Sequence, residues 1–92
     1  MRKVAIAPSF ERSLRNFSPS QRKKIFESLE NFYDFAATGL LLPGLGFKKL
    51  GPNIYEFRID IYLRTVVRSD GDTFYLMFVG SHDDVRRYLR KQ

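Results

Sequence analysis

The sequence predicts an α+β fold: a small twisted, mainly antiparallel sheet with two N-terminal helices packed on one face and a short C-terminal helix. Three observations carry that expectation. Helical spacing of apolar residues is confined to 9–38 and to the C-terminal end, strand-like alternation fills 54–68, and Gly, Pro, Asn and Asp fall at the joints. Helices and strands kept apart along the chain give an antiparallel sheet with helices on it, not an interleaved parallel one. At 92 residues, 43% of them hydrophobic with nine Phe and five Tyr, residues 1–92 suffice for one domain with one core.

The elements follow in order. "KVAIA" predicts a short strand that sets Val4 and Ile6 on one face and stops at Pro8. "SFERSLRNF" spaces Phe10, Leu14 and Phe17 as a short helix with one buried stripe, and Ser9 is placed to cap it. The next helix is the best marked. Ser18 caps, Pro19 takes the first position, Gln21 completes a capping box, and Gly39 ends it with a left-handed residue. Ile25, Leu29, Phe32 and Phe35 form its core stripe, which Phe26, Tyr33 and Ala36 are expected to widen.

"LLLPGLGFKKL" reads as a crossing that ends in a strand over Phe47–Leu50, turned back at "GPN". Tyr55, Phe57 and Ile59 then alternate with Ile54, Glu56, Arg58 and Asp60, so one face is dry and the other wet. The following strand sets Leu63, Thr65 and Val67 against Tyr62, Arg64, Val66 and Arg68, and Asp70-Gly71 supplies a hairpin turn. "TFYLMFVG" is almost continuously apolar, as a strand covered on both faces would be. Ser81 with Asp84 makes a second capping box, opening a last helix whose Arg90 and Lys91 suit its negative end.

Composition narrows the chemistry. The chain has no cysteine and one histidine, which removes disulfides, thiolate nucleophiles and zinc–cysteine clusters and leaves no metal site to expect. No cofactor is expected either. No secretory pattern or membrane-length apolar run is seen, so the expected location is the cytoplasm with no membrane contact. Sixteen Lys and Arg against ten Asp and Glu, a formal charge of +6, favour polyanionic partners.

The order of elements, with "YEFR", "IYLRTVV" and "VGSHDDVRRYL", resembles the RelE/ParE superfamily of bacterial toxins, over essentially the whole chain, and within it the RelE and HigB type that cleaves mRNA. The resemblance implies a sheet with a basic concave surface and a reaction on ribosome-bound mRNA, in which a ribose 2′-hydroxyl attacks the neighbouring phosphate without a metal. It implies a cognate antitoxin as partner, and a toxin–antitoxin hetero-oligomer that binds operator DNA. Two other functions stand beside this one: a non-catalytic inhibitor of DNA gyrase of the ParE type, and a catalytically silent, antitoxin-bound DNA-binding corepressor.

The resemblance also singles out residues. Arg58 and Arg64 match arginines of consecutive strands and would hold phosphate oxygens; the alternative is ordinary ion pairing to Glu56 or Asp60. Glu56 is either a general base or an orienting group for the arginines, because its cationic neighbours make it a weak base. His82 falls where members carry a catalytic arginine or histidine and would transfer a proton, unless it is merely an exposed capping-loop residue. Tyr88 matches a C-terminal tyrosine that would stack on a base or hydrogen-bond the phosphate, yet its spacing from Val85 also fits packing onto the sheet. Where RNA-cleaving members carry lysines, this chain has Tyr55 and Glu56, so Lys48 and Lys49 either supply the charge or solvate a hairpin; Arg68, with Arg22, Lys23 and Lys24, gives further RNA-binding candidates, the last three being equally compatible with a tolerated surface.

Overall fold

The chain begins with β1 (Lys3–Ile6) and turns at Ala7 into α1 (Pro8–Leu14). The structure, a computed structural model, describes residues 1–41 and 44–91. Pro8 occupies the first helical position, where a missing N–H is harmless. Ser9 is not the cap: the N-cap is Ala7, and the Ser9 hydroxyl instead donates to the Met77 carbonyl. Val4 packs on the core, but Ile6 is 46% exposed and does not share its burial. Phe17 reaches the core from beyond the end of α1.

α2 (Pro19–Thr38) starts as its sequence dictates. Gln21 N–H donates to Ser18 Oγ at 3.2 Å, and Ser18 N–H donates back to Gln21 Oε1 at 2.9 Å. Gly39 ends the helix at φ 76°, its N–H donating to the Phe35 carbonyl. Ile25, Leu29, Phe32 and Ala36 are buried, with Phe35 packed partly against them. Phe26 and Tyr33 remain 47% and 40% exposed, so they do not widen the stripe; Ser28 does, its hydroxyl satisfied by the Ile25 carbonyl. Leu42 and Pro43 of the expected crossing lie outside the described residues.

The remaining strands are β2 (Lys48–Gly51), β3 (Ile54–Arg58), β4 (Leu63–Asp70) and β5 (Thr73–Ser81), followed by α3 (His82–Arg90). Asn53, at φ 61°, supplies the left-handed residue of the β2–β3 turn. In the β4–β5 hairpin Asp70 still pairs, with Thr73, so the loop is Gly71-Asp72 and only Gly71 is left-handed. The sheet order is β1-β5-β4-β3-β2, with β1 parallel to β5 and every other pair antiparallel. One core cluster joins Phe10 of α1 and the α2 stripe to Phe57, Leu63, Val67, Phe74, Leu76 and Val79 of the sheet. At its centre Phe32 stacks on Phe57, ring centres 4.7 Å apart.

Two irregularities in β5 shape the rest. Val66 pairs with Phe78 and Val67 with Leu76, which leaves Met77 as a bulge. Alternation shifts there by one residue, so Leu76 and Val79 both reach the core while Phe78 turns to the opposite face. β1 pairs with β5 only as far as Leu76, and beyond it α1 stands in for a strand. Ser9 Oγ donates to the Met77 carbonyl, while Ser13 Oγ accepts the Val79 N–H at 3.0 Å and donates to Phe10 O. Hydroxyls one helical turn apart thus satisfy an edge that would otherwise be unpaired.

Phe78, once turned, receives α3: its ring stacks on Tyr88 at 4.6 Å and 9°. Tyr88 and Leu89 also share a hollow of about 310 Å³ with Ile54, Val66, Arg68 and Met77. Val66 is therefore buried, and this part of the face expected to be wet is dry.

Candidate active site

Strand register decides which candidates can meet, because directly opposed residues of an antiparallel pair share a face. Three rows cross the face that carries Phe78. Arg58, Arg64 and Gly80 form one; Lys48, Glu56, Val66 and Phe78 the next; Ile54, Arg68 and Tyr75 the third.

Arg58 and Arg64 are direct cross-strand partners, an arrangement that costs energy when both are cations. The structure separates their roles. Arg64 is anchored: its Nε lies 3.2 Å from Glu56 Oε2, and one terminal nitrogen donates to the carbonyls of Asp60 at 2.8 Å and Leu63 at 3.2 Å. Both side chains of that pair are largely shielded, 15% and 11% exposed. Glu56 is thus the ion-pair partner of Arg64. Arg58 is exposed, has no ion pair among the described residues, lies against Gly46, and lines a hollow of about 280 Å³ with Lys24, Glu27, Asn31 and Leu45. Two arginines on opposed positions of one face, one anchored and one unpaired among the described residues, are groups suited to an anion.

His82 is the first residue of α3 and is exposed. Leu63 pairs with Ser81, so His82 lies one step past the last pair of the ladder, on the sheet end that carries Arg58 and Arg64. Ser81 and Asp84 close the predicted capping box, Asp84 N–H donating to Ser81 Oγ at 3.1 Å. Tyr88 is partly buried by its stack on Phe78, in line with the packing alternative.

The other cations divide. Lys48 shares the Glu56 row, whereas Lys49 pairs with Tyr55 in the row that faces the helices. Arg68 lies 3.6 Å from Asp70 and over the Tyr75 ring, away from Arg58 and Arg64. Arg22 and Lys23 line a separate hollow with Phe26 on the outside of α2; Lys24 alone of the three approaches the site, 3.9 Å from Asp60 Oδ2.

No family model and no curated protein matches the sequence. Solved structures do. A chain of the RelB–RelE antitoxin–toxin complex from Methanococcus jannaschii is similar at a TM-score of 0.70 and 22% identity, over 91% of this chain and 96% of that one. The fold is that of the RelE toxins. The E. coli DinJ–YafQ complex gives 0.70 at 12% identity over 92% and 98% of the two chains, and E. coli YafQ alone gives 0.68 at 9% over the same shares.

Within this RelE fold, two features of the site that the sequence analysis did not single out carry weight. A Cβ on Gly80 would come within 2.9 Å of both Asp84 Cβ and the Phe78 ring, so glycine is what lets α3 start hard against the arginine row. The β3–β4 turn is clamped from two sides: Asp60 Oδ1 accepts the N–H groups of Tyr62 and Leu63, each at 2.8 Å, while Arg64 holds the Asp60 carbonyl. Asp60 before an exposed pair was the available signal for that turn.

Proposed function

We propose that this chain is the toxin of a toxin–antitoxin pair and an endoribonuclease that cuts mRNA on the ribosome. One observation supports the reading: Arg58 and Arg64 are directly opposed cross-strand partners on the sheet end where His82 follows Ser81. A scissile phosphate placed on the two guanidinium groups would have its developing charge neutralised as the 2′-oxygen attacks. The 2′-hydroxyl gives up its proton, the new O–P bond forms, and the bond to the 5′-oxygen breaks as that oxygen takes a proton. The products are a 2′,3′-cyclic phosphate and a 5′-hydroxyl. His82 is the proton-transferring group at this end, Glu56 positions Arg64, and Tyr88 with Phe78 offers an aromatic flank.

Relatives of this fold are known in complexes with RelB and DinJ, which supports a cognate antitoxin as the partner here. Such a complex, formed in the cytoplasm, would bind operator DNA. In cells, induction without the antitoxin is expected to stop growth and yield mRNA fragments on ribosomes, and Arg64→Ala with His82→Ala to relieve both. Undiminished toxicity in that double variant refutes the assignment.

A second reading has one observation in its favour. The Arg64–Glu56 pair and its two backbone carbonyls would serve equally as a strut. On that reading the chain acts by binding alone, as a gyrase inhibitor, and its induction damages DNA while mRNA stays intact.

A further inference from the structure

The β3–β4 turn presents two large apolar side chains to solvent, Ile61 at 72% and Tyr62 at 69% exposure. Turns are normally polar, and an isoleucine-tyrosine pair at a tip contributes nothing to the core. This tip is also unusually fixed. Asp60 Oδ1 takes both the Tyr62 and Leu63 N–H groups, Ile59 N–H donates to the Leu63 carbonyl, and Arg64 closes the turn through the Asp60 carbonyl. Lys24 adds a cation 3.9 Å from Asp60 Oδ2. An exposed ring on a fixed backbone has already lost much of the freedom that binding would otherwise remove.

Position adds the rest. Tyr62 and His82 each lie one residue past the final Leu63–Ser81 pair, and Arg58 and Arg64 form the pair nearest the turn on β3 and β4. The turn that carries the ring therefore lies on the end of the sheet that carries the candidate chemistry. A basic end with an exposed aromatic is the combination that holds single-stranded nucleic acid, phosphates on the charges and a base on the ring.

We propose that Tyr62, backed by Ile61, is the stacking platform for a nucleobase of single-stranded RNA next to the linkage held by Arg58 and Arg64. This rests on the endoribonuclease reading and adds a positioning residue to it. The occupant is a base and not a protein side chain because the turn carries cations on both flanks and tethers the arginine that would grip the phosphate.

The test uses the full chain and a short single-stranded RNA bearing 2-aminopurine at successive positions, with fluorescence and affinity measured alongside cleavage of mRNA on programmed ribosomes. Wild-type protein should quench the probe at one position. Tyr62→Ala and Tyr62→Leu should lose that quench and weaken binding by on the order of tenfold. Tyr62→Phe and Tyr62→Trp should keep both, and all four variants should melt with the wild type, since the ring is exposed. If wild-type protein cleaves mRNA while the Ala and Leu variants bind and cut as well as it does, the platform is refuted and the nuclease reading stands. If Tyr62→Ala instead loses only the binding of a co-expressed antitoxin, the surface belongs to a protein partner and the platform is again refuted. A wild-type chain that neither binds nor cuts RNA overturns both.

Discussion

Thr65 sits in the row that carries Phe57 and Val79 into the core, and its hydroxyl has no hydrogen-bond partner among the described residues. A buried hydroxyl left unsatisfied costs about 1–3 kcal/mol, and valine replaces it with a methyl of similar shape. Thr65→Val is therefore expected to raise the melting midpoint by roughly 4–8 °C per kcal/mol gained in a domain of this size; calorimetry checks it, and an unchanged or lowered midpoint would contradict it. Ser13 is the opposite case. Its hydroxyl is buried and is the acceptor for the Val79 N–H beyond the reach of β1. Ser13→Ala strands that donor and is expected to destabilise the fold by about 1–3 kcal/mol in a denaturant titration. Neither role was legible in the sequence: the Ser13 partner lies 66 residues away, and the burial of Thr65 depends on strands and helices packed around it.

Elements were legible where the signal is local. Both capping boxes and the left-handed Gly39 could be read because the groups concerned lie within four residues of each other. Face assignments on β3 and β4 followed from alternation for the same reason. The Met77 bulge could not be anticipated in an apolar run, since one inserted residue leaves no compositional trace, yet it decides that Phe78 meets Tyr88. β2 offers a test of register at this scale. Lys48 pairs with Glu56 on the candidate site's face and Lys49 pairs with Tyr55 on the helix face. Lys48→Ala should weaken RNA binding and flatten its salt dependence by about 0.7 in log–log slope, the loss of one phosphate contact; Lys49→Ala should change neither. Equal effects in a salt titration would mean that register does not organise the interface.

For the whole molecule, a charge of +6 pointed to a polyanion without saying where it binds. Of the cations singled out from the sequence, the fold sets Arg22 and Lys23 outside α2 and pairs Arg68 with Asp70, while Arg58 and Arg64 lie at the sheet end reached by His82, with Lys24 close to Asp60 and Lys48 in the neighbouring row. The sheet is what converts separated residues into neighbours, and pairing between strands is the information that the linear pattern lacks. The most direct measurement of the account is cleavage of mRNA in purified, programmed ribosomes by the wild type, Arg64→Ala and His82→Ala, each confirmed folded by its melting midpoint. Loss of one charge-neutralising arginine is expected to slow cutting by roughly 10²–10³, and loss of the proton-transfer group by roughly 10²–10⁴, with fragments ending in a 2′,3′-cyclic phosphate. Folded variants that cut at the wild-type rate would contradict it.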